Sequence, residues 1–527
     1  MKTGEPSADT LPAGFCLAPD PSSRQLDETT LFGGSPARVL RLSPAGAAAL
    51  ADLRSGPVRS HASAVLARRL TDAGLAHPQP PVLAAPPDVT VVIPARDRPG
   101  MLDRCLAALG TSYPVLVVDD GSADPAAIAG VAAAHGARLR QRPASGGPGA
   151  ARNTGLAGVT SELVAFLDSD CVPGPGWIGR LAAHLADPAV AAAAPRIVPL
   201  AAGPGAGSWA SRYTAASSCL DLGDRPALVA PGHRVGYVPT AALVVRRAAL
   251  AGVAGPAGVF DPGLRWGEDV DLVWRLHEAG WRIRYEPAVR VGHHEPGSWP
   301  GLLGRRFRYG TSAGPLARRH PDAVSPLVLH PWPALTVAGV LAGHPVVAGA
   351  GFTGSVLAMR ATLRRAGLPA RGVLPAMLTA TRQTWLGAGR YATQFAAPLI
   401  VGAVLARGDG RRDPRAPGWR GLAPGRPGAA GRWWRRAAAA SLLLGPPLAT
   451  WLARRPALDP ARFAVAQLGD DVAYGAGVWA GAIRARTGAP VRPVIAWRPL
   501  RGLTPAAPSA RNPATGPAAA SAAGGED

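Results

Sequence analysis

The sequence is poor in lysine, cysteine and acidic side chains, and these shortages exclude several classes of protein. Its four cysteines form no C-x-x-C pair in 527 residues, so it indicates neither a zinc site nor a disulfide framework and fits a reducing cytoplasm. Lys2 is the single lysine. The opening stretch MKTGEPSADTLPAG has no apolar core of the signal-peptide kind, and we expect a cytoplasmic protein.

Basic side chains outnumber acidic ones, 56 to 34, which gives a formal charge of +22. The excess is concentrated after Arg305, in runs such as GRRFR and GRWWRR. Such a charge favours anionic partners. It has three interpretations: contact with the inner face of the cell membrane, which we favour, a solvated basic surface, or nucleic-acid binding.

The chain divides into regions of different pattern. Residues 1–83 predict a small α+β module, with a strand and helix start in ARVLRLSPAG and a helix over Ala62–Ala76. This N-terminal module is either winged-helix-like or a structural cap on the central region. It is closed by the proline-rich stretch HPQPPVLAAPPD. At the other end, residues 506–527 predict a disordered tail, because they are rich in Ala, Pro, Ser and Gly.

The central region, residues 84–304, alternates apolar strands with helices. VTVVIPA (Val89–Ala95), VLVVDD and LVAFLDSD predict strands, whereas PGMLDRCLAALG and PAAIAGVAAAHG predict helices. Continuous apolar strands that alternate with helices indicate a mostly parallel, Rossmann-like sheet covered on both faces. In such sheets the ligand lies beyond the carboxyl ends of the strands.

The C-terminal region, residues 305–505, predicts apolar and basic helices. Residues 323–359 contain no Asp, Glu, Lys or Arg over 37 residues, and residues 391–406 and 437–453 are charge-free runs of 16 and 17 residues. A membrane span takes about 20 residues. We expect either one or two membrane-embedded or interfacial helices, or helices that pack on the central region.

Three clusters of carboxylates follow predicted strands or open a helix. One cluster alone can cap a helix or form a turn, but three in this order indicate a site. An Asp-x-Asp pair suits Mg²⁺ or Mn²⁺ that bridges a diphosphate, because phosphate oxygens complete the octahedron. The clusters are Asp119 with Asp120, Asp168 with Asp170, and Glu268 with Asp269 and Asp271.

Two further motifs lie near these clusters. The Gly-rich stretch RPASGGPGAARNTGL is neither a Walker loop nor a G-x-G-x-x-G turn. It predicts either a nucleotide pocket, with Arg152 and Asn153 opening a helix, or a plain loop. His293 and His294 follow another apparent strand. One of them, preferably His293, could complete a metal site through a neutral imidazole.

The ordered motifs VTVVIPARDR, VVDDGSAD, GPGAARNTG, FLDSD and GEDVDLVWRLHEAGWRIRYEP resemble the family 2 glycosyltransferases, whose catalytic domain has the GT-A fold. The resemblance implies inverting transfer of a sugar from a nucleotide-diphosphate donor with a divalent metal. It also implies site roles, matched by motif. The implied roles are nucleoside contact for Pro94, Ala95, Arg96, Asp119 and Asp120, donor contact for Arg152, Asn153 and Asp168, metal binding for Asp168, Asp170 and His293, and general-base catalysis for Asp269 beside Glu268.

Stretches outside these motifs, such as LFGGSPARVLRLSPAG and DDVAYGAGVWAG, resemble the glycosyltransferase family of the mycofactocin system over nearly the whole chain. This resemblance implies UDP-glucose as donor, the peptide-derived redox cofactor mycofactocin as acceptor, and a β-linked oligoglucoside as product. By fold analogy, the N-terminal module would recognise a peptide-derived acceptor.

Two other functions remain open from the residues alone. The first is a family 2 transferase that acts on a lipid or cell-wall acceptor at the membrane. Long-polymer synthesis is disfavoured, because the region LLGRRFRYGTS lacks the Q-x-x-R-W motif of processive synthases. The second is a non-catalytic protein that binds nucleic acid or membrane through its charge. The order of the acidic clusters argues against it, and we expect no nucleic-acid partner.

Overall fold

The computed structural model describes residues 9–200, 207–365, 367–370, 372–405 and 429–496. The tail predicted over 506–527 lies outside these ranges, as does the last residue of the charge-free run 391–406.

The N-terminal module is built from short strands and two helices. Strands β1 and β5 pair antiparallel, and β2, β3 and β4 form a second antiparallel sheet. The second helix ends four residues before the predicted Ala76, because Gly74 turns the chain with φ 67° and Ala76 starts a strand. The elements are β1 (Cys16–Pro19), β2 (Arg24–Asp27), β3 (Thr30–Gly33), β4 (Arg38–Arg41), α1 (Pro44–Ser55), α2 (His61–Asp72) and β5 (Ala76–Gln79).

Two ion pairs, one of them fully buried, fix this module on the central region. Both terminal nitrogens of Arg68 donate to the carboxylate of Asp187, at 2.8 and 2.7 Å, with both side chains buried. Arg282 makes a second two-pronged contact, with Asp72 at 2.7 Å. Two-pronged guanidinium–carboxylate pairs fix orientation as well as distance, so the module is held in one orientation on the central sheet.

The central region contains one nine-stranded sheet. Its order is β10-β14-β11-β13-β9-β6-β7-β8, with β12 paired on β14. Six strands run in one direction, whereas β10, β12 and β13 run against them. The strands are β6 (Val89–Ala95), β7 (Val115–Asp119), β8 (Arg138–Gln141), β9 (Leu163–Leu167), β10 (Cys171–Pro173), β11 (Val190–Pro199), β12 (Ala227–Leu228), β13 (Ala242–Arg246) and β14 (Arg282–His293).

Helices cover both faces of the sheet, as the continuous apolar strands predict. Along β6, Val91 and Ile93 belong to the core on one face and Val92 to the core on the other. The first core includes side chains of α3, α4 and α6, and the second includes side chains of α5, α8 and α9. These and the remaining helix are α3 (Pro99–Leu109), α4 (Pro125–Ala134), α5 (Pro148–Leu156), α6 (Trp177–Ala182), α7 (Trp209–Ser217), α8 (Arg247–Gly252) and α9 (Glu268–Glu278).

The C-terminal region is helical, apart from one short parallel strand pair. The boundary predicted at residue 304 falls inside α10, so the central and C-terminal regions share a continuous helix instead of a linker. The elements are α10 (Trp299–Thr311), α11 (Ala313–Arg319), β15 (Val328–Leu329), α12 (Pro331–Ala342), α13 (Pro345–Arg365), α14 (Val373–Leu405), α15 (Ala429–Arg454), α16 (Pro460–Arg484) and β16 (Val494–Ile495).

Helix α16 packs closely on α10, and glycines make this approach possible. A Cβ atom on Gly310 would overlap the backbone of Tyr474 and Gly477, and one on Gly477 would overlap the backbone of Phe307. Of the helices in the described ranges, α13 alone is long and apolar enough to cross a membrane, and little of it is buried inside the protein.

Candidate active site

The carboxyl ends of β6, β7 and β9 meet at a cavity of about 640 Å³. We call it the donor-side cavity. Asp97, just beyond β6, has φ 54°, a backbone conformation that is uncommon for a residue other than glycine. The predicted nucleoside residues Pro94, Ala95, Arg96 and Asp120 line this cavity, together with Asp168, Asp170 and the Gly-rich loop at Ser145, Gly147 and Pro148.

The two aspartates after β7 have different surroundings. Asp120 is buried and holds the Gly-rich loop through four contacts of 2.8–3.0 Å, from Arg142 Nε, Ser145 Oγ, Gly146 N and Gly147 N. Asp119 does not line the cavity; its Oδ1 accepts from Ser122, and its buried Oδ2 has no partner among the described residues. Asp120 therefore shapes the loop as well as the cavity.

Arg152, on α5, joins the second and third carboxylate clusters. Its guanidinium is buried and donates to Asp168 Oδ1 at 2.6 Å and to Glu268 Oε1 at 2.9 Å. It also lies 5.6 Å from the ring centre of Phe260. Burial alone would lower the pKa of Arg152, but the two carboxylates outweigh it and raise that pKa. The arginine therefore stays charged and fixes both acids.

The neighbouring Asn153 has a different role from the one predicted by motif. Its amide nitrogen donates to the carbonyl oxygens of Ala257 and Phe260, and its oxygen accepts from the Phe260 amide. Asn153 lines neither this cavity nor the one described below. The structure thus places it beneath the site, where it fixes the loop that leads to α9.

Asp170 lies beside the predicted histidine. Strand β10 pairs antiparallel with β14 in the register Cys171↔His293, which brings His293 Nε2 to 3.6 Å from Asp170 Oδ1. The other ring nitrogen of His293 contacts Glu295 at 3.3 Å. Burial lowers the pKa of His293, but Glu295 and Asp170 outweigh it, so the pKa is raised overall. The backbone amide of His294 donates to the carbonyl oxygen of Asp170 at 3.0 Å, and His294, unlike His293, lines neither cavity.

The donor atoms here suit a hard divalent cation that a substrate helps to bind. Within the described ranges, no three His, Cys, Asp or Glu side chains are arranged to hold a metal ion by themselves. Asp168 keeps Oδ2 free of any protein partner in the same ranges, and Asp170 Oδ1 has only the imidazole at 3.6 Å. Few protein oxygens and open positions are what Mg²⁺ or Mn²⁺ needs when phosphates complete its shell.

The two acids at the start of α9 have different surroundings. Glu268 is buried against Arg152; burial, and then Asp269, raise its pKa to about 7. Asp269 is half-buried, and its Oδ1 accepts from the adjacent amide of Val270 at 2.8 Å, with no ion-pair partner among the described residues. Burial raises the pKa of Asp269 above its usual range. Asp269 is thus the freer carboxylate of the two. The third acid of this cluster, Asp271, is buried and paired with Arg275 at 2.8 Å.

A second cavity, of about 990 Å³, adjoins the first. We call it the acceptor-side cavity. Asp168, Asp170, Trp266 and Arg308 line both cavities, and Asp269 lines only the second. Its far wall comes from the C-terminal helices, through residues that the motifs did not reveal. These are Arg390, Gln394 and Phe395 of α14, Thr450 and Arg454 of α15, and Gln467, Asp470, Tyr474 and Val478 of α16.

A sequence signal for this wall does exist. The α16 residues follow a spacing of three, four and four, which places polar side chains on one face of an otherwise apolar helix. Nothing in the sequence indicated that Trp266 and Arg308 line a cavity. Trp266 lies in a loop, and Arg308 belongs to a basic run that is also typical of a solvated surface. The geometry alone brings them to the boundary between the cavities.

Comparison with known proteins identifies the family to which the chain belongs. The family described as Glycosyl transferase family 2 matches residues 90–249. The Pre-mycofactocin glycosyltransferase of Mycobacterium tuberculosis is 39% identical over 502 residues, which are 93% of this chain and 99% of that protein. The Succinoglycan biosynthesis protein ExoW of Rhizobium meliloti is 47% identical over 94 residues, 16% of this chain and 30% of that protein.

Among solved structures, the mannosyltransferase PcManGT from Pyrobaculum calidifontis in complex with GDP-Man and Mn²⁺ is 19% identical, over 70% of this chain and 89% of that one, with a TM-score of 0.34. The predicted fold class, a GT-A domain with a mostly parallel sheet and a helical C-terminal region, is confirmed by the family match and the sheet topology. With identity at this level over almost the full length of both proteins, the chain belongs to the pre-mycofactocin glycosyltransferases, and it carries a family 2 glycosyltransferase domain.

Proposed function

We propose that this enzyme transfers glucose from UDP-glucose to a pre-mycofactocin acceptor, with inversion at the sugar carbon. One observation carries the proposal: two cavities meet at Asp168 and Asp170, and Asp269 lies on the acceptor side of that boundary. A nucleotide donor and a hydroxyl acceptor need such a pair of compartments, with the reacting carbon between them. The name of the Mycobacterium tuberculosis relative supports the acceptor.

The donor would lie along the carboxyl ends of β6 and β7. The turn Pro94–Arg96 and the loop held by Asp120 would surround the nucleoside, as the family motif implies. The diphosphate would then reach Asp168 and Asp170. At this point Arg308 lines both cavities, with its guanidinium 5.4 Å from the ring centre of Trp266. It would offer positive charge to the departing phosphate oxygens.

Asp269 would act as the general base. Its carboxylate takes the proton of the acceptor hydroxyl as the hydroxyl oxygen bonds to the sugar carbon. The bond from that carbon to the diphosphate oxygen breaks, and its electron pair leaves with UDP. A base of raised pKa accepts the proton more readily, provided that it is ionised. Arg152 would keep Glu268 and Asp168 in place during this step.

Asp168 and Asp170 would hold Mg²⁺ or Mn²⁺ together with the donor phosphates, and His293 would become a third ligand by shifting toward the ion when it binds. When bound, the metal supplies charge that stabilises the diphosphate leaving group. The free oxygen of Asp168 and the 3.6 Å approach of His293 Nε2 to Asp170 support this assignment.

A mass measurement on the acceptor tests the proposal. Purified enzyme is incubated with UDP-glucose, Mn²⁺ or Mg²⁺, and pre-mycofactocin, with GDP-mannose as the matched alternative donor. We expect mass gains in hexose steps from UDP-glucose. Metal-dependent release of UDP without any gain would move the acceptor to lipid or cell-wall glycans. No turnover of either nucleotide sugar would refute the transferase chemistry assigned to this site.

We also propose that the C-terminal helices contact the inner face of the cell membrane. Residues 323–458 contain 17 arginines and two aspartates, with no lysine or glutamate. Large apolar side chains are exposed in the same residue range. An anionic lipid surface would attract the arginines and bury the apolar side chains. These exposed side chains are Trp332, Val346, Leu357, Leu374, Leu378 and Trp433.

Vesicle flotation tests the membrane contact. We expect the enzyme to float with phosphatidylglycerol-containing vesicles at low salt and to be released in part by about 0.5 M salt, because the Debye length then shrinks to a few ångströms. Replacing exposed Trp433 with serine should weaken flotation. Equal recovery with neutral phosphatidylcholine vesicles would argue against the electrostatic contribution.

A further inference from the structure

Both aspartates at the boundary between the cavities face an arginine of the protein itself. Arg152 donates to Asp168 Oδ1 at 2.6 Å. On the other aspartate, Arg98 Nη1 lies 3.4 Å from Asp170 Oδ2. A divalent cation that reaches these carboxylates alone therefore meets negative charge that two guanidinium groups already offset, and its binding is weakened accordingly.

The two arginines differ in how firmly they are held. The side chain of Arg152 is 2% exposed and also donates to Glu268, so it cannot leave Asp168 without disturbing a second, buried contact. The side chain of Arg98 is 58% exposed, and the contact with Asp170 is the one hydrogen bond or ion pair that it makes to a described residue. A single exposed pair of this length contributes little free energy, so Arg98 can leave Asp170 at small cost.

Arg98 is also close to the site proposed for the donor. It is the N-cap residue of α3 and follows the Pro94–Arg96 turn after a single residue. Its side chain lines both the donor-side and the acceptor-side cavity. A guanidinium binds phosphate oxygens through paired N–H donors. A diphosphate in the donor-side cavity would therefore offer Arg98 a better partner than one carboxylate oxygen at 3.4 Å.

We propose that Arg98 makes metal binding depend on the donor. Without a donor, Arg98 pairs with Asp170 and competes with a divalent cation for that carboxylate. When the donor binds, Arg98 turns to the diphosphate oxygens and leaves the carboxylate of Asp170 open to the cation. The inference rests on the donor and metal site of the proposed function and deepens it: nucleotide and metal bind together more tightly than either binds alone.

Three variants isolate the contribution of this guanidinium. Arg98→Gln removes the charge, whereas Arg98→Lys keeps the charge without the paired N–H donors. Arg104→Gln is the matched control, because it removes one positive charge from α3 at an exposed position that lines neither cavity. Electron paramagnetic resonance of free Mn²⁺ measures how much of the ion each protein binds, with and without UDP. This measurement needs neither glucose nor an acceptor.

In Arg98→Gln, we expect Mn²⁺ alone to bind about two- to fivefold more tightly than in the parent, because Asp170 loses its competing partner. At saturating UDP the two proteins should bind Mn²⁺ equally, since Arg98 has then left Asp170 in the parent as well. The factor by which UDP strengthens Mn²⁺ binding should therefore fall by the same two- to fivefold.

Binding of UDP, measured by calorimetry, gives the reciprocal test. At saturating Mn²⁺, Arg98→Gln should bind UDP about tenfold more weakly, the effect of one lost charged hydrogen bond. Without Mn²⁺ the loss should be smaller, because the parent must first break the contact between Arg98 and Asp170. Arg98→Lys should bind Mn²⁺ alone as the parent does, and Arg104→Gln should match the parent in every measurement.

Equal binding of Mn²⁺ without UDP in the parent and in Arg98→Gln would overturn the inference, while joint binding of Mn²⁺ and UDP would leave the proposed donor site standing. The same tightening in Arg104→Gln would also overturn it, since the cause would then be net charge. If the parent bound no Mn²⁺ even with UDP, both the inference and the proposed metal site would be wrong. Conversely, the expected loss of coupling in an enzyme that transfers no glucose would support the role of Arg98 and refute the proposed reaction.

Discussion

The donor-side and acceptor-side cavities share a boundary at Asp168 and Asp170, but they are built in different ways. The first is formed by residues directly after strands of one sheet, each placed by the strand before it. The second needs helices α14, α15 and α16, which are held by packing between distant parts of the chain: α16 packs on α10, α14 on α16, and α15 on α14. The comparison teaches that the cavity proposed for the nucleotide is encoded in local motifs, whereas the cavity proposed for the acceptor depends on distant parts of the chain.

The largest effect should come from the proposed base, Asp269, which lines the acceptor-side cavity and not the donor-side cavity. Asp269→Asn removes the proton acceptor without changing the shape of the side chain, and we expect transfer to fall by about 10³-fold. Binding of UDP-glucose, measured by calorimetry, should stay close to that of the parent, since Asp269 does not line the donor-side cavity. Asp224→Asn, at an exposed position, is the control. Unchanged transfer in Asp269→Asn would reassign the base.

The second largest effect should come from the buried ion pair that joins α10 to α16 on the acceptor side. Arg306→Met leaves Asp470 buried and without its cation, so the free energy of unfolding should fall by about 3 kcal/mol in urea titrations. Replacing both partners, in Arg306→Met with Asp470→Leu, should restore much of that loss. If the single variant is as stable as the parent, this pair does not hold α16 on α10.

A smaller effect should result from crowding the helix contact. Gly310→Ala places a methyl group against the backbone of α16, which should cost about 1–3 kcal/mol and weaken acceptor binding before donor binding. Gly304→Ala, on the same helix, would meet only the end of the Arg308 side chain at 3.9 Å and should be neutral or slightly stabilising. Thermal unfolding of both variants measures the difference. Equal melting temperatures would show that the close packing is dispensable.

The last effect is confined to the pH dependence of stability and concerns Glu268, the acid that faces Arg152. The pKa of Glu268 is raised to about 7 in the folded protein, whereas a free glutamate has about 4.3. The folded state therefore holds a proton that the unfolded state releases, and this group makes stability fall as pH rises between those values. In metal-free buffer, urea titrations of Glu268→Gln at about pH 5 and about pH 7.5 should show a weaker dependence on pH than the parent does.

The strands and the acidic clusters could be predicted from sequence because their signals are local. The strand over Val89–Ala95 is found with the predicted bounds, since a continuous apolar run of that length ends at a turn. The contrasting roles of Asp119 and Asp120 could not be predicted, because they depend on which carboxylate meets the Gly-rich loop. Asn153 shows the same limit: a motif fixes its place on α5 but not the direction of its amide.

Whether the C-terminal helices lie in a membrane or pack on the central region could not be predicted from sequence, for a related reason. An apolar helix with scattered polar residues suits both a membrane and a protein interior, and composition does not separate the two. Here α13 is long, apolar and exposed, whereas α16 presents buried Gln467, Asp470 and Asp471 to its neighbours. Only the contact between α16 and α10, which are far apart in sequence, distinguishes them.

The most direct test of the account is a binding measurement on the shared boundary. Calorimetric titration of UDP-glucose into the parent enzyme with Mn²⁺ should give a clear heat of binding, and chelation with EDTA should abolish most of it. In the double variant Asp168→Asn with Asp170→Asn, we predict no metal-dependent binding, although Asp269 and the acceptor side are intact. Undiminished, metal-dependent binding in that variant would contradict the assignment of these aspartates and, with it, the proposed donor site.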